Sequence, residues 1–222
     1  MFKSMMRKEL METLPVMAIA GFLYALILIS DAFEYSWASD GVLINQMQRW
    51  TTVLHDQFID VLWMIAFGFA ILLGLVQTLT DSVQGTWGYL VHLPPGRRWI
   101  ISSKLLVGGG VYVACTGLFL LVCVMIGWTR QTAVYPFRWS MMSVYVQISL
   151  IGMLVYLATF LTGLRPARWY GSRLLPLAGC GLLVWVLIGV PQWWVYGFAP
   201  LLVFCGLLVG VILYVGDVRD YT

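Results

Sequence analysis

The sequence predicts an all-α integral membrane protein with about six transmembrane helices and with both termini in the cytoplasm. Three observations lead to this fold class: 61% of the 222 residues are hydrophobic, only 10% are charged, and the mean hydropathy is +0.87. A soluble domain carries roughly 25% charged residues, because its surface must be solvated. In lipid only helices and closed barrels satisfy the backbone, and the long continuous apolar runs lack the alternation of a barrel.

Six apolar runs are long enough to be read as membrane spans, each of which takes about 20 helical residues. Together they predict a single transmembrane domain over residues 1–222. The first, fifth and sixth runs lie near the lower length limit for a span, so a number of spans that differs from six by one remains an alternative. The spans are expected at about 15–30, 61–79, 100–128, 141–164, 174–190 and 198–215.

The positions of the basic residues predict the orientation of these spans. When the connections are assigned alternately to the two sides, 10 of the 13 lysines and arginines fall on the side of the amino terminus. Such an excess marks the cytoplasmic side, which predicts six spans with both ends inside. The residues on that side are Lys3, Arg7, Lys8, Arg97, Arg98, Lys104, Arg165, Arg168, Arg173 and Arg219, and the outer side keeps Arg49, Arg130 and Arg138.

Two parts of this topology have alternatives. The first span has the basic start and apolar core of a signal peptide, but the small residues Ser36, Ala38 and Ser39 fit a cleavage site only loosely, so a retained helix is favoured. The outer connection at 191–200 carries no charge and has proline at both ends. It is either a re-entrant turn or, as we favour, an ordinary aromatic loop. The other long outer connection, at about 31–60, holds five carboxylates and several aromatics that suit the headgroup level.

Several kinds of chemistry lack their residues in this chain. No glycine loop ending in Gly-Lys-Ser/Thr is present to bind ATP. The two histidines, His55 and His92, lie in connections on opposite sides, and the four cysteines lie inside apolar runs without metal or redox spacing. The spans hold no carboxylate pair at mid-depth, which argues against an intramembrane enzyme or an ion-coupled carrier. No catalytic, metal or cofactor site is therefore predicted.

Polar residues inside the spans are few. They include Gln77, and the run Gly108-Gly109-Gly110 interrupts the third span with small residues. Such a run either breaks a helix or lets a neighbour pack closely, and we favour packing. The other mid-membrane polar residues are Thr116, Gln147, Thr159 and Thr162.

The connection between the second and third spans has the most informative pattern, TDSVQGTWGYLVHLPPGRRWIISSKLL over residues 80–106. Trp87, Leu90 and Leu93 recur at helix-like spacing, and the Pro94-Pro95-Gly96 turn ends that helix. Arg97 and Arg98 follow, and Lys104 opens the third span. The pattern predicts a short amphipathic helix at the cytoplasmic surface, which anionic headgroups would hold or a partner protein would bind.

This stretch resembles the membrane-spanning permeases of the type-2 ABC exporter family. That family has an acidic or amide residue, Gly-Thr, a hydrophobic helix, a leucine-proline turn, an arginine and a lysine that opens the third span. Here Gln84 stands where the family most often has an acidic residue. The amino terminus, FKSMMRKELMETL, resembles the family's amphipathic elbow helix through Arg7, Lys8 and Glu9. The coupling positions are Gln84, Gly85, Thr86, Trp87, Leu90, Leu93, Pro94, Arg97, Arg98 and Lys104.

The resemblance implies a division of labour. Residues 1–14 would form the elbow helix, and the connection 80–99 would dock a separate ATPase subunit, which would bind the ATP and Mg that this chain does not. One chain would supply half of a translocation pathway, so a homodimer or a dimer with a related subunit is expected, surrounded by membrane lipid, without nucleic acid. The expected location is a bacterial inner membrane, and the aromatic content slightly favours an amphipathic or lipid-like cargo. The alternative function is a membrane scaffold or assembly subunit that transports nothing.

Overall fold

A computed structural model describes residues 2–39, 56–83, 97–129, 137–164, 170–188 and 198–218. Within these ranges the chain forms six long helices and no strand, which confirms the all-α fold class. A single turn of 3-10 helix, Trp139–Met142, leads directly into the fourth helix. The helices are α1 (Phe2–Ser39), α2 (Asp56–Val83), α3 (Arg97–Thr129), α4 (Ser143–Leu164), α5 (Tyr170–Ile188) and α6 (Phe198–Val218).

Each of the six predicted spans coincides with one of these helices. Five of them, α1 to α4 and α6, are long and apolar enough to cross a membrane, and the apolar part of α5, Leu174–Leu187, is shorter. Many large apolar side chains on these helices point outward, such as Leu182 on α5 and Leu207 on α6. Because lipid solvates such side chains, this surface fits an integral membrane protein.

Helix α1 is longer than the sequence predicts at both ends. Its 38 residues would extend about 57 Å at 1.5 Å per residue, which exceeds the roughly 40–45 Å of a whole bilayer. Residues 2–14, predicted as an elbow helix, are continuous with the first span and form no separate element. Residues 31–39 and 56–60, predicted as an outer connection, are helical as well, because leaving the hydrocarbon does not by itself end a helix.

Helix α4 is the central helix of the bundle. Of its most apolar 18 residues 67% are buried, against 11% for α6. It packs against α2, α5 and α6, whereas α1 packs mainly on α2 and α3. The interior of the bundle is therefore built around α4, and α1 lies at its periphery.

The contacts between helices give their relative directions. Glu9 contacts Lys104, and the ring of Tyr24 packs against that of Phe119. Both pairs are 95 residues apart in the sequence, so α1 and α3 run parallel. Phe69, eight residues before Gln77, stacks on Tyr112, eight residues after Lys104, so α2 and α3 run antiparallel.

The helices meet at one end of the bundle that holds the beginnings of α1 and α3 and the ends of α2, α4 and α6. Thr78 of α2 fills the space beside Gly163 of α4, where a Cβ would clash with the threonine side chain. Ile101 of α3 fills the corresponding space beside Gly216 of α6. Small residues allow such close approach between membrane helices. We call this the basal end, defined by Glu9, Thr78, Ile101, Gly163 and Gly216.

Candidate functional site

The basal end contains a buried ion pair. Nζ of Lys104 lies 2.6 Å from Oε1 of Glu9, and the two residues are only 1% and 4% exposed. A buried charge is strongly unfavourable unless it is paired and hydrogen-bonded. This contact therefore fixes the beginning of α1 against the beginning of α3.

Gln77 of α2 makes two hydrogen bonds with the same lysine residue. Its Nε2 donates to the backbone carbonyl of Lys104 at 3.0 Å, and Lys104 Nζ donates to the backbone carbonyl of Gln77 at 3.3 Å. The hydroxyl of Tyr156, on α4, donates to Gln77 Oε1 at 2.8 Å. Glu9, Gln77, Lys104 and Tyr156 thus form one polar cluster that joins four helices.

A glycine one turn after Lys104 makes room for this cluster. A Cβ on Gly108 would clash with Gln77 Oε1 and with the hydroxyl of Tyr156, whereas a Cβ on Gly110 would meet nothing within 4 Å. Helix α3 runs unbroken through residues 108–110. The structure therefore favours close packing over a broken helix, and at Gly108 the packing partners are polar.

The structure brings together two of the predicted site residues, Glu9 of the elbow segment and Lys104 of the coupling segment. Arg98 is exposed on the first turn of α3, and Arg97 is the first residue of that helix. Residues 84–96, which carry the predicted coupling positions from Gln84 to Pro94, lie outside the described residues.

The other two predicted elbow residues lie on the outside of α1. Arg7 is exposed, and the side chain of Lys8 is 42% exposed, with its Nζ 3.5 Å from Glu12 Oε1 one turn later. Exposed pairs at this spacing contribute only a few tenths of a kcal/mol, roughly 0.3–0.5. Among the three elbow residues, Glu9 is the one that is built into the bundle.

Sequence reasoning singled out Gln77 as polar but did not place it in a site, and it missed Tyr156. A lone amide inside an apolar span is a usable signal, because its hydrogen-bonding groups need partners in lipid. Tyr156 gives no comparable signal, since tyrosine is common in membrane helices. Its role depends on the packing of α4 against α2 and α3.

Outside the polar cluster, the described bundle also buries Asp31, which is 0% exposed, and several serine and threonine side chains. The four cysteines are free, and Cys123 and Cys180 are buried. In the described residues no three histidine, cysteine or carboxylate side chains lie close enough to hold a metal ion. A cavity of about 310 Å³ between α1 and α2 is lined by apolar residues, among them Ala20, Leu23 and Phe69. It contains no group that could take part in catalysis.

The polar cluster links four helices. Its members lie on α1, α2, α3 and α4, and each hydrogen bond or ion pair crosses from one helix to another.

We compared the chain with known proteins and found no relative. No family model, curated protein or solved structure matches this chain.

Proposed function

We propose that this chain is the transmembrane permease subunit of an ATP-binding-cassette exporter, coupled to a separate ATPase subunit. It would form half of the translocation pathway, with six spans and the basal end on the cytoplasmic side. Helix α5 would supply the remaining span. The second half would be another copy of the chain or a related subunit.

The observation that carries this proposal is the contact between Glu9 and Lys104. The resemblance to type-2 ABC exporters singles out the two segments that hold these residues independently of each other. In the structure the two side chains lie 2.6 Å apart. This contact would couple α1 to α3 when an ATPase subunit moved the loop that precedes α3.

The geometry supplies a route by which the loop 80–99 would act on the bundle. α2 ends six residues after Gln77, and α3 begins seven residues before Lys104. The reciprocal hydrogen bonds of Gln77 and Lys104 hold the two helices together just above the loop. A displacement of the loop by an ATPase would therefore move both helices as a unit, with α1 following through Glu9 and α4 through Tyr156.

The cargo is proposed only as a class. The sequence holds 11 each of tryptophan, tyrosine and phenylalanine. This aromatic content slightly favours an amphipathic or lipid-like molecule over an ion. A bacterial inner membrane is the proposed location.

Substitution of one tryptophan tests the loop. Trp87→Asp should reduce the amount of ATPase that co-purifies with the tagged chain at least about tenfold, because loss of a buried aromatic contact typically costs 2 kcal/mol or more. Trp193→Asp, in the predicted outer connection, is the matched control and should leave the yield unchanged. An unchanged yield with Trp87→Asp, in chain that inserts normally, would show that this loop is not the docking segment.

A further inference from the structure

The cavity between α1 and α2 is a groove with a buried floor. Ala20 of α1 and Phe69 of α2 line it and are only 3% and 4% exposed. Gly68 lines it beside Phe69, and a Cβ on this glycine would meet nothing within 4 Å. The missing side chain of Gly68 therefore leaves open part of the volume of about 310 Å³. We call these three residues the floor of the α1–α2 groove.

The groove opens on the outside of the bundle between two walls of large side chains. On α1 the wall consists of Ile19 and Leu23, which are 56% and 37% exposed. On α2 it consists of Met64 and Leu72, which are 69% and 50% exposed. Every described side chain that lines the groove is apolar. Water gains no hydrogen-bond partner there, so an apolar space of this kind stays dry.

The groove lies at the middle depth of the membrane-spanning part of the bundle. The apolar span of α2 is Phe58–Thr80, and Phe69 is its midpoint. The span of α1, Ser4–Phe33, is centred just before Ala20. Along α2 the groove covers residues 61–72, about 17 Å at 1.5 Å per residue. It therefore fits within the hydrocarbon core, which is roughly 30 Å thick.

The walls favour a lipid chain over another helix as the occupant. Helices approach each other closely in membranes where small residues separate them, as Thr78 and Gly163 show inside this bundle. The four wall residues are all large and would hold a helix away from the floor. A hydrocarbon chain is thin enough to enter. It gains van der Waals contacts on the floor and on both walls, which an empty gap would forfeit.

We propose that the α1–α2 groove binds the acyl chain of a bilayer phospholipid. The terminal half of the chain lies on Ala20, Gly68 and Phe69 and fills the gap between the two helices. Because the groove is apolar and lies at mid-depth, it recognises the chain and not the headgroup. This binding is a property of the permanent lipid surroundings and depends neither on the proposed ATPase nor on a cargo.

Photolabelling of the full chain in phosphatidylcholine nanodiscs tests the groove. One probe is a phosphatidylcholine with a diazirine near the end of an acyl chain, and a second has the diazirine next to the ester. After illumination, mass spectrometry of peptides compares residues 61–72 of α2 with residues 202–211 of α6. The reference segment exposes Leu202, Val203 and Leu207 to lipid, with 49–61% of each side chain accessible. ATP and other proteins are absent.

The tail probe should label residues 61–72 at least about threefold more than residues 202–211, because a chain held on three sides makes more contacts than one on a convex helix face. The ester probe should show no such preference. Gly68→Phe fills the groove and should abolish the preference of the tail probe. Gly181→Phe is the matched control, since a Cβ on Gly181 of α5 also meets nothing within 4 Å, and it should leave the preference unchanged.

Two results would overturn the proposal. Equal labelling of the groove and of α6 by the tail probe would mean that only ordinary surface lipid touches the groove. Weaker labelling of the groove than of α6 would mean that another helix, from a second copy or a partner, covers it. The unmodified chain gives either result, so the test holds even if Gly68→Phe impairs folding.

Discussion

The ammonium group of Lys104 lies 2.6 Å from the carboxylate of Glu9, and both side chains are almost completely buried. This contact joins the amino-terminal segment of the chain to the start of α3. Gln77 and Tyr156 extend it to α2 and α4 through hydrogen bonds. The basal ends of four helices are thus held together by polar contacts.

The ion pair should show strong coupling in a double-mutant cycle. Lys104→Met or Glu9→Met alone should each lower the free energy of unfolding by about 3–5 kcal/mol, because each leaves an uncompensated buried charge. The double variant should lie close to the unmodified chain. Unfolding with SDS in mixed micelles measures all four proteins. Single-variant losses that simply add in the double variant would show that the two side chains do not interact.

The hydroxyl of Tyr156 should contribute to stability through Gln77. Tyr156→Phe removes the donor to Gln77 Oε1 and leaves a buried acceptor without it, which typically costs about 1–3 kcal/mol. Tyr214→Phe is the matched control, because Tyr214 is 68% exposed. The same unfolding measurement compares the two. Equal effects of the two substitutions would argue against the Tyr156–Gln77 contact.

Gly108 and Gly110 should respond in opposite ways to alanine. At Gly108 the added Cβ would clash with Gln77 and Tyr156, whereas at Gly110 it would meet open space. Gly108→Ala should destabilise the chain by about 1–3 kcal/mol through overpacking. Gly110→Ala should be neutral or stabilising by up to about 1 kcal/mol, since alanine is the better helix former. If Gly108→Ala were as well tolerated as Gly110→Ala, the cluster would be packed differently.

The orientation of the bundle is open to a direct test with reporter fusions. A fluorescent protein that matures only in the cytoplasm should be bright when it is fused after residue 90, 168 or 222 and dark after residue 45, 133 or 194. The positive-inside distribution of lysine and arginine gives this expectation. A dark fusion after residue 222 together with a bright one after 194 would show that α5 does not cross the membrane.

The helices could be predicted from sequence because each depends on a local property. Continuous apolar runs give the spans, and all six lie on helices of the structure. The end of a span does not give the end of its helix. The first span is predicted to end near Ser30, and α1 continues to Ser39, since a charged residue such as Asp31 limits membrane depth but does not end a helix.

The polar cluster could not be predicted because it depends on packing between distant segments. Glu9 and Lys104 were each singled out, but nothing in the sequence indicates that they touch. Their contact requires α1 and α3 to run parallel in one register, which Tyr24 and Phe119 share. The docking role of residues 84–94 stays a prediction, because those residues lie outside the described part of the chain.

The most direct test of the proposed function is purification of the tagged, unmodified chain in mild detergent, followed by mass spectrometry of the proteins that accompany it. The permease proposal predicts a stoichiometric partner that carries a phosphate-binding glycine loop and hydrolyses ATP in the purified complex. A chain that is recovered alone, or with a partner that lacks such a loop, in several detergents would contradict the proposal and favour a membrane scaffold.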